Sequence, residues 1–211
     1  PRVPPLQQRI ETFKRLVDML GRGAVIWRFD PLMLTDKISI EDLIEKVTRI
    51  GDELKGYTEK LVFSFADIAG YKKVGRNLSQ AGVNYREWDG TSMLEFAAKL
   101  SDINLKRWGY TLATCAETIE LSEYGIEHNR CIDPDLIALL SPDDAVLQNF
   151  LYGAKPDSGQ RKACGCILSK DIGTYNTCPH CCLYCYANAS PSSAIMNYQR
   201  HYSMPISDSI V

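Results

Sequence analysis

Four of the chain's eight cysteines fall within the eleven residues from Cys178 to Asn188. Cys178, Cys182 and Cys185 have the spacing C-x3-C-x2-C, and the aromatic Tyr184 directly precedes the last of them. Thiolates are the usual protein ligands of iron in iron–sulfur clusters. Three thiolates would hold three irons of a [4Fe–4S] cluster and leave the fourth iron open to a ligand. The spacing therefore predicts a redox-active iron–sulfur site.

This spacing is similar to that of radical S-adenosylmethionine enzymes. The resemblance implies that the amino and carboxylate groups of S-adenosylmethionine would bind the open iron. One-electron reduction through the cluster would then cleave the C–S bond and release a 5′-deoxyadenosyl radical. Such an enzyme needs a reducing electron donor and a substrate, which the residues do not identify.

The remaining cysteines supply a second candidate set, Cys115, Cys131, Cys164 and Cys166, with Cys181 left over. Four thiolates are what a closed [4Fe–4S] cluster or a structural zinc site requires. We therefore predict one or two metal centres. A centre built from this set would fix the C-terminal segment to the preceding part of the chain.

Zinc is the alternative metal. The cysteines at 178, 181, 182 and 185 also form two C-x2-C pairs, and the C-x-C pair at 164 and 166 or His180 would complete a tetrahedral set. The protein would then be a non-catalytic, metal-stabilised binding module. Its partner could be nucleic acid, bound through the basic residues Lys72, Lys73 and Arg76, although the same residues also fit an ordinary solvated surface.

Helical and strand patterns alternate along the first half of the chain. Apolar stripes of helical spacing over 6–20, 40–54 and 94–105 each precede a short apolar run, at 24–29, 60–65 and 110–115. This alternation predicts an α/β fold with parallel strands, either part of a TIM-barrel-like structure or an open parallel sheet.

The pattern changes after residue 115. Residues 116–133 are predicted to form a long loop, two short helical segments follow at 134–140 and 142–150, and periodicity vanishes after Tyr152. We therefore predict an α/β domain over 1–150 and an irregular cysteine-rich segment over 151–211 that metal binding would order. Because the chain starts at Pro1 without an initiator Met, the first domain is expected to be incomplete at its N-terminus.

Polar and charged side chains follow the predicted strands. In parallel α/β folds, functional groups gather at the C-terminal ends of the strands. Arg28, Asp30, Asp67 and Glu117 occupy such positions and are the candidates for binding S-adenosylmethionine or the substrate. The alternative is that strand ends are polar because they reach solvent, and Asp before Pro commonly opens a turn.

The chain resembles a bacterial and archaeal domain-of-unknown-function family that is marked by a C-terminal cysteine cluster of the radical S-adenosylmethionine kind. The similar segments are 25–31, 114–117, 125–128, 131–133, 164–166, 171–173 and 178–188. The resemblance implies that the cysteines at 178, 182 and 185 ligate a cluster. It also implies further N-terminal sequence with additional strands.

Composition limits the remaining classes. The formal net charge of −2 gives no support for bulk affinity for nucleic acid. No apolar run approaches the roughly 20 residues needed to span a membrane, and no secretory signal opens the chain. We expect a cytoplasmic protein without membrane partners, in which crowded cysteines bind metal rather than form disulfides.

Overall fold

The computed structural model describes residues 2–161 and 163–206. Its strands are β1 (Trp27–Leu32), β2 (Leu34–Thr35), β3 (Lys60–Phe65), β4 (Tyr85–Arg86), β5 (Thr111–Cys115) and β6 (Ile126–Asn129). Its α-helices are α1 (Leu6–Leu20), α2 (Ile40–Leu54), α3 (Lys72–Gln80), α4 (Gly90–Arg107), α5 (Pro134–Leu140), α6 (Ala145–Tyr152) and α7 (Pro191–Ser203).

Four parallel strands form the main sheet in the order β1-β3-β5-β6, and β2 pairs with β4 in a small antiparallel ribbon. The strands of the main sheet follow one another in chain order, and the sheet is open. The predicted α/β class with an open parallel sheet is therefore confirmed. The first predicted strand is shifted, because β1 starts at Trp27 instead of Ala24 and continues to Leu32.

The central strand β3 explains why the sheet forms. After Lys60, every residue of this strand is buried, including Ser64. A nearly continuous apolar run is typical of a parallel strand with both faces covered. Its register pairs Phe63 with Phe29 of β1 and with Thr114 of β5, so the ends of the three strands lie side by side.

The helices between the strands are set by local sequence. Ser39 and Asp42 form a capping box at the start of α2. Near the end of α2, a Cβ atom at Gly51 would lie 2.4 Å from Cζ2 of Trp108, so only glycine allows this close approach. The Trp108 indole also donates a hydrogen bond to Asp52 at 2.8 Å.

Aromatic side chains form the centre of the core. Phe96 of α4 is fully buried, and its ring centroid lies 5.7 Å from that of Phe63 and 5.9 Å from that of Trp88. The Trp88 indole donates a hydrogen bond to the carbonyl oxygen of Leu32 at 2.9 Å. The core thus connects α4 with the C-terminal ends of the first two strands of the main sheet.

The predicted loop over 116–133 is wrong in part, because it contains strand β6. This strand pairs with β5 from Ile126 opposite Leu112 to Asn129 opposite Cys115. Only Ile126 and Asn129 of its four residues are buried. So short a strand with one apolar residue has no strand pattern of its own, and its pairing with β5 decides its structure.

The C-terminal segment is less irregular than predicted, since α7 lies within it. The helix starts with Ser190 as its N-cap and Pro191 in its first turn. Among the described residues of 153–190, the structure has turns and one isolated β-bridge but no helix or strand. Residue 150 lies inside α6, and the division into two units at that point stays a prediction.

The short helices α5 and α6 agree with the two helical segments predicted over 134–150. Leu139 and Val146 on these helices are 74% and 83% exposed. Of the helices in the described part of the chain, none is both long and apolar enough to cross a lipid bilayer.

Substitution Phe96→Ala should lower the free energy of unfolding by about 3–5 kcal/mol, because it leaves a cavity among packed aromatic rings. Urea unfolding followed by circular dichroism measures the change. The control Leu94→Ala, on the same helix and 40% exposed, should stay within about 0.5 kcal/mol of the wild type. Equal losses for the two variants would contradict the assigned core.

Candidate functional site

Strand β1 carries a charged network within its length, at Arg28 and Asp30. The guanidinium of Arg28 binds one carboxylate oxygen of Asp30, and the hydroxyl of Ser64 donates to the other oxygen. Arg28 also donates from Nη1 to the sulfur of Cys131 at 2.8 Å. One guanidinium thus connects a carboxylate on β1 with a thiol that follows β6.

Glu117 joins the same edge of the sheet from β5. Its Oε1 accepts a hydrogen bond from the backbone N–H of Phe65 at 2.9 Å. Burial raises the pKa of Glu117, while this hydrogen bond lowers it in part. Phe65 directly follows Ser64, whose hydroxyl donates to Asp30, so Glu117 and Asp30 lie beside the same end of β3. The predicted residues Arg28, Asp30 and Glu117 are therefore brought together.

Asp67 has a different environment. Its side chain is exposed, and Oδ1 accepts a hydrogen bond from the N–H of Gly70 at 2.9 Å, which closes the turn before α3. Its carbonyl oxygen lies 3.5 Å from the hydroxyl of Tyr184. Asp67 thus touches the cysteine-rich loop through its backbone, and its carboxylate stabilises the turn.

Three of the four cysteines in the predicted second set converge at this edge. The sulfur of Cys131 lies 3.4 Å from that of Cys115. The sulfur of Cys166 accepts hydrogen bonds from the backbone N–H groups of Cys131 and Ile132, at 3.2 and 3.3 Å. The thiol of Cys164 is half-buried and makes no hydrogen bond with the described residues.

Hydrogen bonding shifts the pKa values of the paired thiols, Cys115 and Cys131, in opposite directions. The hydrogen bond with Cys115, followed by that with Arg28, lowers the pKa of Cys131 to about 6. The same bond between the thiols, together with burial, raises the pKa of Cys115. Burial by itself would lower the pKa of Arg28, but hydrogen bonds with Cys115, Asp30 and Cys131 outweigh it and raise that pKa. At neutral pH in the metal-free protein, Cys131 is thus a thiolate paired with a guanidinium.

The loop that carries the C-x3-C-x2-C motif is anchored to the α/β layer. Leu183 and Tyr184 pack on a small apolar cluster formed by Ala66, Ile68, Val74 and Leu78. Asn77 of α3 donates a hydrogen bond to the carbonyl oxygen of Leu183 at 3.2 Å. Burial raises the pKa of Tyr184, and the negative charges of Asp67 and Asp30 raise it further. The loop therefore lies near the C-terminal ends of β1 and β3.

A cavity of about 330 Å³ lies between this loop and α3. Its thiol lining comes from Cys181, Cys182 and Cys185, and its amide lining from Asn77, Gln80 and Asn188. Burial raises the pKa of Cys182.

Cys181 differs from the other thiols of the loop. Its sulfur donates a hydrogen bond to the carbonyl oxygen of Pro179 at 3.3 Å. Its backbone has a φ of 53°, in the left-handed region that non-glycine residues rarely adopt. This thiol is engaged as a donor within its own loop.

Within 2–161 and 163–206, no three His, Cys, Asp or Glu side chains are arranged so that they could bind a single metal ion together.

Two polar residues of the site, Asn129 and Asn188, were not predicted from the sequence. Asn129 donates to the sulfur of Cys131 at 3.3 Å. Asn188 is buried, donates to the carbonyl oxygen of Cys178 at 2.8 Å, and has an Oδ1 atom without a hydrogen-bond partner among the described residues. Asn188 ends the cysteine-rich block itself, and that position was the only indication in the sequence.

Comparison with known proteins gives one match. The family model described as "Domain of unknown function (DUF1848)" matches residues 1–187, which include all eight cysteines. No curated protein and no solved structure matches the chain.

In the metal-free protein, iodoacetamide should alkylate Cys131 with a half-maximal rate near pH 6, because the thiolate is the reactive form. An ordinary thiol has its midpoint near about 8.5. Mass spectrometry of the Cys131 peptide across a pH series measures the rate. Arg28→Met removes a donor and a charge, and should move the midpoint upward. A wild-type midpoint near that of an ordinary thiol would contradict the assigned network.

Proposed function

The chain belongs to the family described as Domain of unknown function (DUF1848), and from its cysteine-lined cavity we propose that it is an iron–sulfur enzyme of the radical S-adenosylmethionine type. Cys178, Cys182 and Cys185 would ligate a [4Fe–4S] cluster. The observation that carries the proposal is the cavity between the loop and α3, which Cys182 and Cys185 of the motif line together with Cys181 and with side-chain amides.

The hydrogen bonding of Cys181 supports the choice of these three cysteines. The thiol of Cys181 donates a hydrogen bond to the carbonyl oxygen of Pro179 at 3.3 Å. Two C-x2-C pairs around zinc would need Cys181 as a thiolate ligand. The hydrogen bonding of Cys181 thus favours the three-thiolate arrangement over the zinc arrangement.

When bound, such a cluster supplies the electron that cleaves the C–S bond of S-adenosylmethionine and releases a 5′-deoxyadenosyl radical. The protein supplies binding, orientation and exclusion of water. The side-chain amides of Asn77 and Gln80 line the cavity and offer donors and acceptors for the amino and carboxylate groups of S-adenosylmethionine. The reaction also requires an external one-electron reductant.

The substrate would bind at the neighbouring edge of the sheet. Tyr184 connects the two regions, because it contacts Asp67 through its hydroxyl and lies within electrostatic range of Asp30. Arg28, Asp30 and Glu117 present both signs of charge at this edge, so a polar substrate fits it better than an apolar one.

Substitution Cys182→Ala should remove about four irons per protein after anaerobic reconstitution with iron and sulfide, because the cluster loses a ligand. It should also abolish the formation of 5′-deoxyadenosine from S-adenosylmethionine and dithionite. Iron analysis and chromatography of the products measure the two effects.

The matched control is Cys181→Ala in the same loop, which should keep both the iron and the activity. If Cys181 proved essential and Cys182 dispensable, the proposed ligand set would be wrong. A colourless wild-type protein with zinc bound to this loop would favour the non-catalytic binding module instead.

A further inference from the structure

The three sulfurs at the sheet edge receive an unusual number of hydrogen bonds. Cys131 accepts from Arg28 Nη1 at 2.8 Å and from Asn129 Nδ2 at 3.3 Å, and it lies 3.4 Å from the sulfur of Cys115. A neutral thiol is a weak acceptor. Nitrogen donors directed at a sulfur therefore indicate a site prepared for thiolate, the form that binds metal.

The sulfur of Cys166 also accepts hydrogen bonds from nitrogen donors, which here are backbone N–H groups. Its sulfur accepts N–H groups from two consecutive residues, Cys131 and Ile132, and the residue is only 5% exposed. Backbone donors cannot move away without unfolding the loop, so this sulfur is held in a fixed place. A thiolate buried without such donors would be strongly destabilised.

The loop after β6, which carries Cys131, is in close contact with the C-terminal loop that carries Cys166. The N–H of Ile167 donates to the carbonyl oxygen of Ile132 at 3.2 Å. A Cβ atom at Gly165 would lie 2.9 Å from Cγ of Arg130, so the tight approach depends on glycine. The C-terminal segment thus reaches the sheet at the point where the thiols gather.

Charge balance supports the same conclusion. Arg28 places a guanidinium beside the sulfurs, with its side chain 37% exposed. The thiols of three separate segments, after β5, after β6 and in the C-terminal segment, would repel one another as bare thiolates. A cation bound between them would remove this repulsion and join the segments.

We propose that Cys115, Cys131 and Cys166, with Cys164 as the fourth ligand, bind a second thiolate metal centre at the C-terminal edge of the sheet. This centre is separate from the cavity of Cys182 and Cys185 and does not depend on its chemistry. The described residues hold no three such side chains already arranged around one point. The thiol of Cys164, two residues from Cys166 in the same loop, must therefore turn toward the other three, and the sulfurs must draw together, when metal binds.

The test removes the other thiols first. The triple variant Cys178→Ala, Cys182→Ala and Cys185→Ala is loaded anaerobically with ferrous iron and sulfide, or separately with zinc chloride. It should retain about four irons, or about one zinc, per protein after desalting, and the two loadings identify the metal. Adding Cys131→Ser and Cys166→Ser should abolish this retained metal, whereas adding Cys181→Ser should not. Circular dichroism verifies that each variant is folded.

A second measurement needs no substitution at the proposed ligands. In the metal-loaded triple variant, Cys115, Cys131 and Cys166 should resist alkylation, and a chelator should restore their reactivity by at least tenfold. Retention of no metal under either loading, or full alkylation of these cysteines with metal bound, would overturn the second centre. If the wild type holds no more metal than the triple variant, the cluster at Cys178–Cys185 fails and the second centre stands.

Discussion

The structure depends on bringing negative sulfur and carboxylate groups together at one edge of a parallel sheet without leaving their charges uncompensated. Arg28 meets this constraint, because its guanidinium binds the Asp30 carboxylate and the Cys131 sulfur at once. Parallel strands in chain order place these groups side by side. Without the guanidinium, the Asp30 carboxylate and the Cys131 sulfur would lose the cation that binds them both.

The same constraint explains why the C-terminal segment can do without regular structure for much of its length. Cys166 is held by two backbone N–H groups of the loop after β6, and Tyr184 is packed beside the turn after β3. Each attachment involves a cysteine or a neighbour of one. The segment is thus held both by hydrogen bonds to a sulfur and by apolar packing of Leu183 and Tyr184, and metal binding would add to that order.

The fold class was predictable because burial on both faces leaves a continuous apolar run, as in β3, whatever its tertiary contacts are. Strand β6 was not, since a single apolar residue, Ile126, gives no period and its pairing with β5 comes from the tertiary structure. At the site, cysteine spacing predicted the thiols. The end of the strand predicted over 24–29 predicted Arg28 and Asp30, although both lie inside β1. The roles of Asn129 and Asn188 were not predictable, because the hydrogen bonds of their side-chain amides are set by the folded structure and have no signature in the sequence.

The central claim is that three thiolates leave one iron open for S-adenosylmethionine. Electron paramagnetic resonance of the reduced, iron-reconstituted protein tests this claim most directly. The protein carries Cys131→Ser and Cys166→Ser, so that only the cluster at Cys178, Cys182 and Cys185 contributes to the spectrum. We predict a reduced [4Fe–4S] signal whose g-values shift when S-adenosylmethionine is added. A signal unchanged by S-adenosylmethionine, or a protein that holds no iron at these cysteines, would contradict the account.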